Sequence, residues 1–179
     1  YRNRAQGYRY RGGMPRPPLI VVTGVSGSGK STIGSLLADH LGVPFTDADD
    51  LHPASNVAKM SAGEPLTDGD RWPWLALVGE ALAAASATGL VVACSALKRS
   101  YREAILAGAP GALFVQLDGS RELLAHRMGA RTDHFMPTTL LDSQLATLEP
   151  LQPEEPGFTL GIEQEPGEIV EEIADRLTH

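Results

Sequence analysis

Cysteine is almost missing from this chain: its 179 residues include one, Cys94. A single thiol rules out an internal disulfide framework and suits a reducing compartment, so a cytoplasmic protein is expected. Cys94 lies within an apolar run and reads as a buried thiol rather than a nucleophile. Long hydrophobic runs are lacking too, and none approaches the roughly 20 residues that cross a bilayer. No secretory apolar region follows the N-terminus, so neither export nor a membrane partner is expected. No His/Cys grouping has zinc-site spacing, and His40 and His126 read as helix-surface residues. A guanine-reading Asn-Lys-x-Asp segment is absent, which argues against a GTPase. What remains, 42% hydrophobic and 21% charged residues, is the make-up of an ordinary soluble domain.

Net charge is −7, unevenly spread. Residues 1–16 hold five arginines (Arg2, Arg4, Arg9, Arg11, Arg16) and no acid, so the rest carries −12. A basic arm with Tyr1, Tyr8 and Tyr10 could touch nucleic acid, but it also has the character of a loose extension ahead of the fold. The acidic body makes nucleic acid a poor main partner. We therefore expect a basic extension over 1–16 and a single domain over 17–179.

The most informative stretch is Gly24-Val25-Ser26-Gly27-Ser28-Gly29-Lys30-Ser31. It fits the phosphate-loop pattern of glycine, four residues, glycine, lysine and Ser/Thr. Glycines let backbone N–H groups turn toward a polyphosphate at close range, and Lys30 brings a mobile charge. The Ser31 hydroxyl can ligate Mg²⁺. Context agrees on both sides. Leu19 to Thr23 reads as a buried parallel strand. Ile33, Leu36, Leu37 and Leu41 fall at helical spacing, with Gly42 placed to stop the helix.

Further along, apolar runs at 43–46, 90–95, 112–117 and 158–162 alternate with helical patterns. The helices are expected near 56–61, from about 70 to the stop at Gly89, at 100–107, 120–129 and 137–148, and from Pro166 to 177. Alternation of this kind implies a mostly parallel sheet covered on both faces, with ligands beyond the strands' carboxyl ends. That rule gathers the phosphate loop, Asp47/Asp49, the stretch Ser95 to Arg99 and Asp118 at one edge.

Asp47 and Asp49 are two apart where the second strand gives way to loop, so continued alternation would point both one way. One could serve the metal and the other an acceptor hydroxyl; an acidic turn capping the next element is the plainer alternative. The third strand ends without an acid, which makes Asp47 the better metal candidate. Arg127 and Arg131 straddle a helix end and could close over a triphosphate as a lid at about 127–137, or could be surface charges paired with Glu122 and Asp133. His52, Lys59, Arg71, Lys98 and Arg102 give the opposite loops a basic character suited to an anionic acceptor.

Several of these segments resemble the gluconate kinase family of small P-loop sugar-acid kinases. They are Gly24 to Thr32, Asp47 to Pro53, Asn56 to Met60, Gly63 to Asp68, Asp70 to Leu75, Cys94 to Arg102, His134 to Pro137, and Ser143-Gln144. Together they span about residues 19–175. Ala48 departs from the family's usual glycine, and the fifth strand around Gly161 is less acidic. The resemblance implies ATP- and Mg²⁺-dependent phosphorylation of D-gluconate to 6-phosphogluconate. It further implies a three-layer α/β/α fold with a five-stranded parallel sheet in the order 2-3-1-4-5 and a moving lid. On this basis Gly24 to Thr32 line the ATP phosphates, Asp49 is the acceptor-hydroxyl base, Arg131 the lid arginine, and Arg127 lies against adenine. A cytoplasmic homodimer is the family expectation.

Overall fold

A run of β-branched residues that is apolar on both faces must lie between two layers, and Leu19–Thr23 does so as β1. The computed structural model describes residues 16–129 and 138–179. The arm up to residue 15 lies outside the described residues, as do Arg131, His134 and most of the expected lid. β1 pairs in parallel with β3 (Leu90–Ala93) on one side and β4 (Leu113–Asp118) on the other. Outside these run β2 (Phe45–Asp47), next to β3, and β5 (Gly157–Gly161), next to β4, again parallel. The order is β2-β3-β1-β4-β5, as the resemblance implied.

Side-chain alternation along β1 divides the core in two. Ile20 and Val22 enter one cluster with Ile33, Leu37 and Leu41 of α1 (Lys30–Leu41). Ile169, Val170 and Ile173 of the closing helix Pro166–Thr178 complete that layer. Val21 faces the other way. It packs with Leu75, Val78 and Leu82 of the helix Asp68–Ala84 and with Tyr101 and Ile105 of the helix Arg99–Gly108. In chain order the α-helices are α1, α2 (Ala54–Ser61), α3 (Asp68–Ala84), α4 (Arg99–Gly108), α5 (Arg121–Gly129), α6 (Thr138–Thr147) and α7 (Pro166–Thr178). Each fully buried Leu or Ile in these layers contributes about 1.5–3 kcal/mol relative to exposure.

Boundaries follow local chemistry. Gly42, at φ 70°, ends α1 as expected, its N–H reaching the carbonyls of Ala38 and Asp39. α3 begins two residues before the sequence reading, because Thr67 and Asp70 form a reciprocal capping box. It also ends earlier, at Ala84, and Gly89 instead turns the chain into β3. An added Cβ at Gly89 would stand 2.8 Å from Val43 Cγ1 and 3.0 Å from the Pro18 carbonyl oxygen. α7 starts with Pro166 at its first turn and a Glu165–Glu168 capping box. Cys94 is buried, and burial raises its thiol to about 12, leaving no thiolate for chemistry.

Candidate active site

In a parallel sheet, neighbouring strands deliver their carboxyl ends to one edge. Asp47 of β2 is in register with Ala93 of β3, and Ala93 with Val22 of β1. The loop after β1 and the acids after β2 therefore share an edge, one strand apart.

The loop is a tight backbone cradle. Gly27 and Gly29 have φ of 82° and 84°, the left-handed region that glycine enters without penalty. A Cβ at Gly27 would meet the Leu124 carbonyl oxygen and Met128 Cγ, both at 2.9 Å, so α5 holds the loop from behind. Val25 is buried beneath it. Gly29 caps α1, whose first turn carries Lys30, Ser31 and Thr32. From α6, Gln144 Oε1 accepts the Ser26 N–H at 2.7 Å, fastening the loop's start. A glycine cup at a helix N-terminus fits a polyphosphate in both shape and charge.

Ser31 and Asp47 meet as the sequence suggested they could. The Ser31 hydroxyl donates to Asp47 Oδ2 at 2.8 Å, while Asp47 Oδ1 accepts the Asp49 N–H at 3.0 Å. The expected strand alternation does not relate the two acids. Residues Ala48–Leu51 form a 3-10 helix that Asp47 caps, so the turn itself folds Asp49 back beside it. The pair of oxygen ligands suits a hard cation such as Mg²⁺, shared with phosphate and water. Among the described residues no group of three or more His, Cys, Asp or Glu could hold a metal by itself. Close helix packing sets this spacing: a Cβ at Gly34 of α1 would stand 2.8 Å from the Phe45 ring of β2.

Asp49 is solvent-accessible as a residue, yet its carboxyl is pushed above the usual carboxylate range. Burial of the carboxyl is the main cause and the charge on Asp47 the next; Lys30 and His52 pull the other way. His52 is lowered, first by burial and then by Arg71, against the pull of Asp49. Its ring stacks on Trp74, with centroids 4.2 Å apart and planes 15° from parallel. Asn56 Nδ2 donates to the Asp70 carbonyl oxygen at 2.9 Å and lies 3.2 Å from His52 Nδ1. An amide nitrogen can only donate, so Nδ1 is the acceptor and neutral His52 carries its proton on Nε2. Trp74 Nε1 in turn donates to the Ala48 carbonyl oxygen at 2.7 Å, which pins the 3-10 turn to α3.

The basic residues divide sharply. Lys59 Nζ pairs with Asp70 Oδ2 at 2.8 Å, and that bond is the main reason Asp70 falls to about 2. Arg71 and Lys98 both reach Asp68, at 3.4 Å each. Arg102 requires a correction. It was expected among the acceptor's cations, but it is fully buried and doubly bonded to Glu155, at 2.7 and 3.0 Å. Its remaining nitrogen donates to the carbonyls of Ala96 and Leu97, both at 3.2 Å. Burial alone would raise Glu155, but the Arg102 bond and the Gln152 N–H hold it low. Arg102 thus shapes the loop after β3 from beneath, with no donor directed at the cleft. Arg127 Nη2 donates to the Ile162 carbonyl oxygen at 2.5 Å, just past β5. Arg131 lies outside the described residues.

Trp74, Asn56, Asp68, Tyr101 and Gln144 were given no role from sequence. Their one signal was membership in the quoted motifs, because each works through a partner remote in the chain; Gln144 and Ser26 are 118 positions apart.

Comparison with known proteins agrees with this geometry. The family model described as "Shikimate kinase" matches residues 26–178. A "Gluconokinase" of Gluconobacter oxydans is 48% identical over 160 residues, covering 88% of this chain and 90% of that protein. The crystal structure of a gluconokinase from Sinorhizobium meliloti superposes with a TM-score of 0.81 at 52% identity, covering 90% of this chain and 94% of that one. A shikimate kinase structure from Bacteroides thetaiotaomicron shares the fold at 19% identity, with a TM-score of 0.66 over 90% of this chain and 99% of that one. No helix among the described residues is long and apolar enough to cross a membrane. The chain belongs to the gluconokinase family of shikimate-kinase-like P-loop kinases.

Proposed function

We propose that the protein transfers the γ-phosphoryl group of ATP to the terminal hydroxyl of D-gluconate, giving 6-phosphogluconate and ADP. The loop from Gly24 to Gly29, with Lys30, Ser31 and Thr32, holds the polyphosphate. Asp49 orients the acceptor hydroxyl. As that oxygen bonds to the γ-phosphorus and the bond to the ADP oxygen breaks, Asp49 takes the hydroxyl proton. Ser31 and Asp47 would hold Mg²⁺, which would supply charge neutralisation to the transferred phosphoryl group. Arg71 and Lys98 receive the acceptor's carboxylate, His52 contributes a neutral donor, and Lys59 supports the wall through Asp70. Arg127 contacts the adenine, while Arg131 closes the site as part of a lid at about 127–137. A homodimer belongs to the same proposal.

The observation that carries this reading is the hydrogen-bonded series Ser31–Asp47–Asp49, which links the phosphate loop to the candidate base through one carboxylate. Coupled ADP release with a panel of sugar acids, ATP and Mg²⁺ tests it, and gluconate should give the highest kcat/KM. A second reading, phosphorylation of a shikimate-like acid, draws on the match to the shikimate kinase family model. Turnover of shikimate in place of gluconate would favour that alternative.

A further inference from the structure

The two cations assigned above to the acceptor's carboxylate already face a carboxylate of the protein's own. Asp68, at the start of α3, accepts the Tyr101 hydroxyl at 2.5 Å on Oδ1. Arg71 Nη1 lies 3.4 Å from that same oxygen, and Lys98 Nζ lies 3.4 Å from Oδ2. Arg71 and Lys98 also sit over the Tyr101 ring, 5.6 and 5.4 Å from its centroid. The group adjoins the candidate base: Asn56 bonds the Asp70 carbonyl oxygen, two residues from Asp68, and also reaches His52 at the end of the turn that carries Asp49.

Resting on the kinase reading above, we propose that Asp68 is a specificity-determining residue that leaves this seat with one unmatched positive charge, so that it takes a monoanionic acid and turns away a dianionic one. Two cations with nothing between them would suit a phosphate at least as well as a carboxylate. One fixed negative charge between them cancels half of that attraction and repels the second charge of a phosphate. The balance is not restored from nearby. Lys59 is matched by Asp70, and burial disfavours the charged form of His52. Tyr101 keeps its proton, because burial and the Asp68 bond raise it. Its hydroxyl in turn fixes the Asp68 carboxylate in place and holds it ionised. The 3.4 Å spacing of both cations from Asp68 leaves each with donors for a ligand.

The test compares calorimetric binding of D-gluconate with that of glucitol 1-phosphate. The latter is an open chain with a free 6-hydroxyl and a dianionic group at the end facing the cations. The wild type should prefer gluconate. Asp68→Asn and Asp68→Ser should each move the affinity ratio toward the phosphate by about tenfold, whereas Asp68→Glu, which keeps the charge, should leave it in place. An unchanged ratio in both neutral variants would overturn the proposal, as would an equal shift in Asp68→Glu. Binding needs no turnover, so the two readings separate. Gluconate that binds with the expected ratios but is not phosphorylated by ATP and Mg²⁺ sinks the kinase assignment alone. If gluconate and glucitol 1-phosphate both fail to bind every form, both readings are overturned.

Discussion

The two walls of this cleft are made from different materials. The proposed nucleotide wall is contiguous backbone: eight residues from Gly24 to Ser31, among which Gly27 and Gly29 take left-handed angles. The proposed acceptor wall is a set of charged side chains from α2, α3 and the loop after β3, joined as Lys59–Asp70 and as Arg71 and Lys98 with Asp68. A backbone cup recognises what every nucleoside triphosphate has, and it leaves little to substitution. A side-chain wall can be retuned one residue at a time. On the proposed reading, chemistry common to all P-loop kinases is held by the first, and the choice of acceptor by the second.

That contrast is open to attack by mutation. The largest effect belongs to Lys30→Ala, which should lower kcat by about 10²–10³-fold with little change in acceptor KM; an unaltered kcat in steady-state assays would break the division. Asp49→Asn stands between the walls and should cost about 10²-fold in kcat. With Asp49 intact, its raised carboxyl puts the acid limb of kcat/KM at a higher pH than an ordinary Asp would give. Activity falls as pH drops through that value, because the base must be ionised. Lys98→Ala should act on the acceptor alone, raising gluconate KM by about tenfold while leaving ATP KM in place, by initial-rate kinetics. The smallest effect sharpens the nucleotide side. Gln144→Ala removes one neutral hydrogen bond to Ser26, worth about 0.5–1.5 kcal/mol, so ATP KM should rise by roughly threefold to tenfold. A change in gluconate KM instead would place α6 on the other wall.

The same contrast explains what could be read from the chain. The cup was legible because its determinants are consecutive, and glycine, lysine and serine each have a backbone or charge reason to stand where they do. β1 and α1 were legible from apolar spacing. The strand order was not; it came with the resemblance. Asp47 and Asp49 could be placed at the right edge, but their relation could not, since capping by Asp47 overrode the strand's alternation. Arg102 misled for a physical reason. A basic residue beyond a strand end looks like a ligand for an anion, and its true partner, Glu155, is 53 positions away in a Pro/Glu loop. Asp68 escaped notice likewise, for its importance lies in which cations fold against it.

The bare hydrogen of Gly34 against the Phe45 ring has an outcome well beyond helix packing. It works as a caliper. Gly34 sits one turn past Ser31 on α1, and Phe45 two residues before Asp47 on β2. A methyl group inserted at that contact would press on the edge of the half-buried Phe45 ring, so that either the ring or the helix must give way. The contact thus ties the sizes of residues 34 and 45 to the spacing of helix and strand beside the proposed metal site.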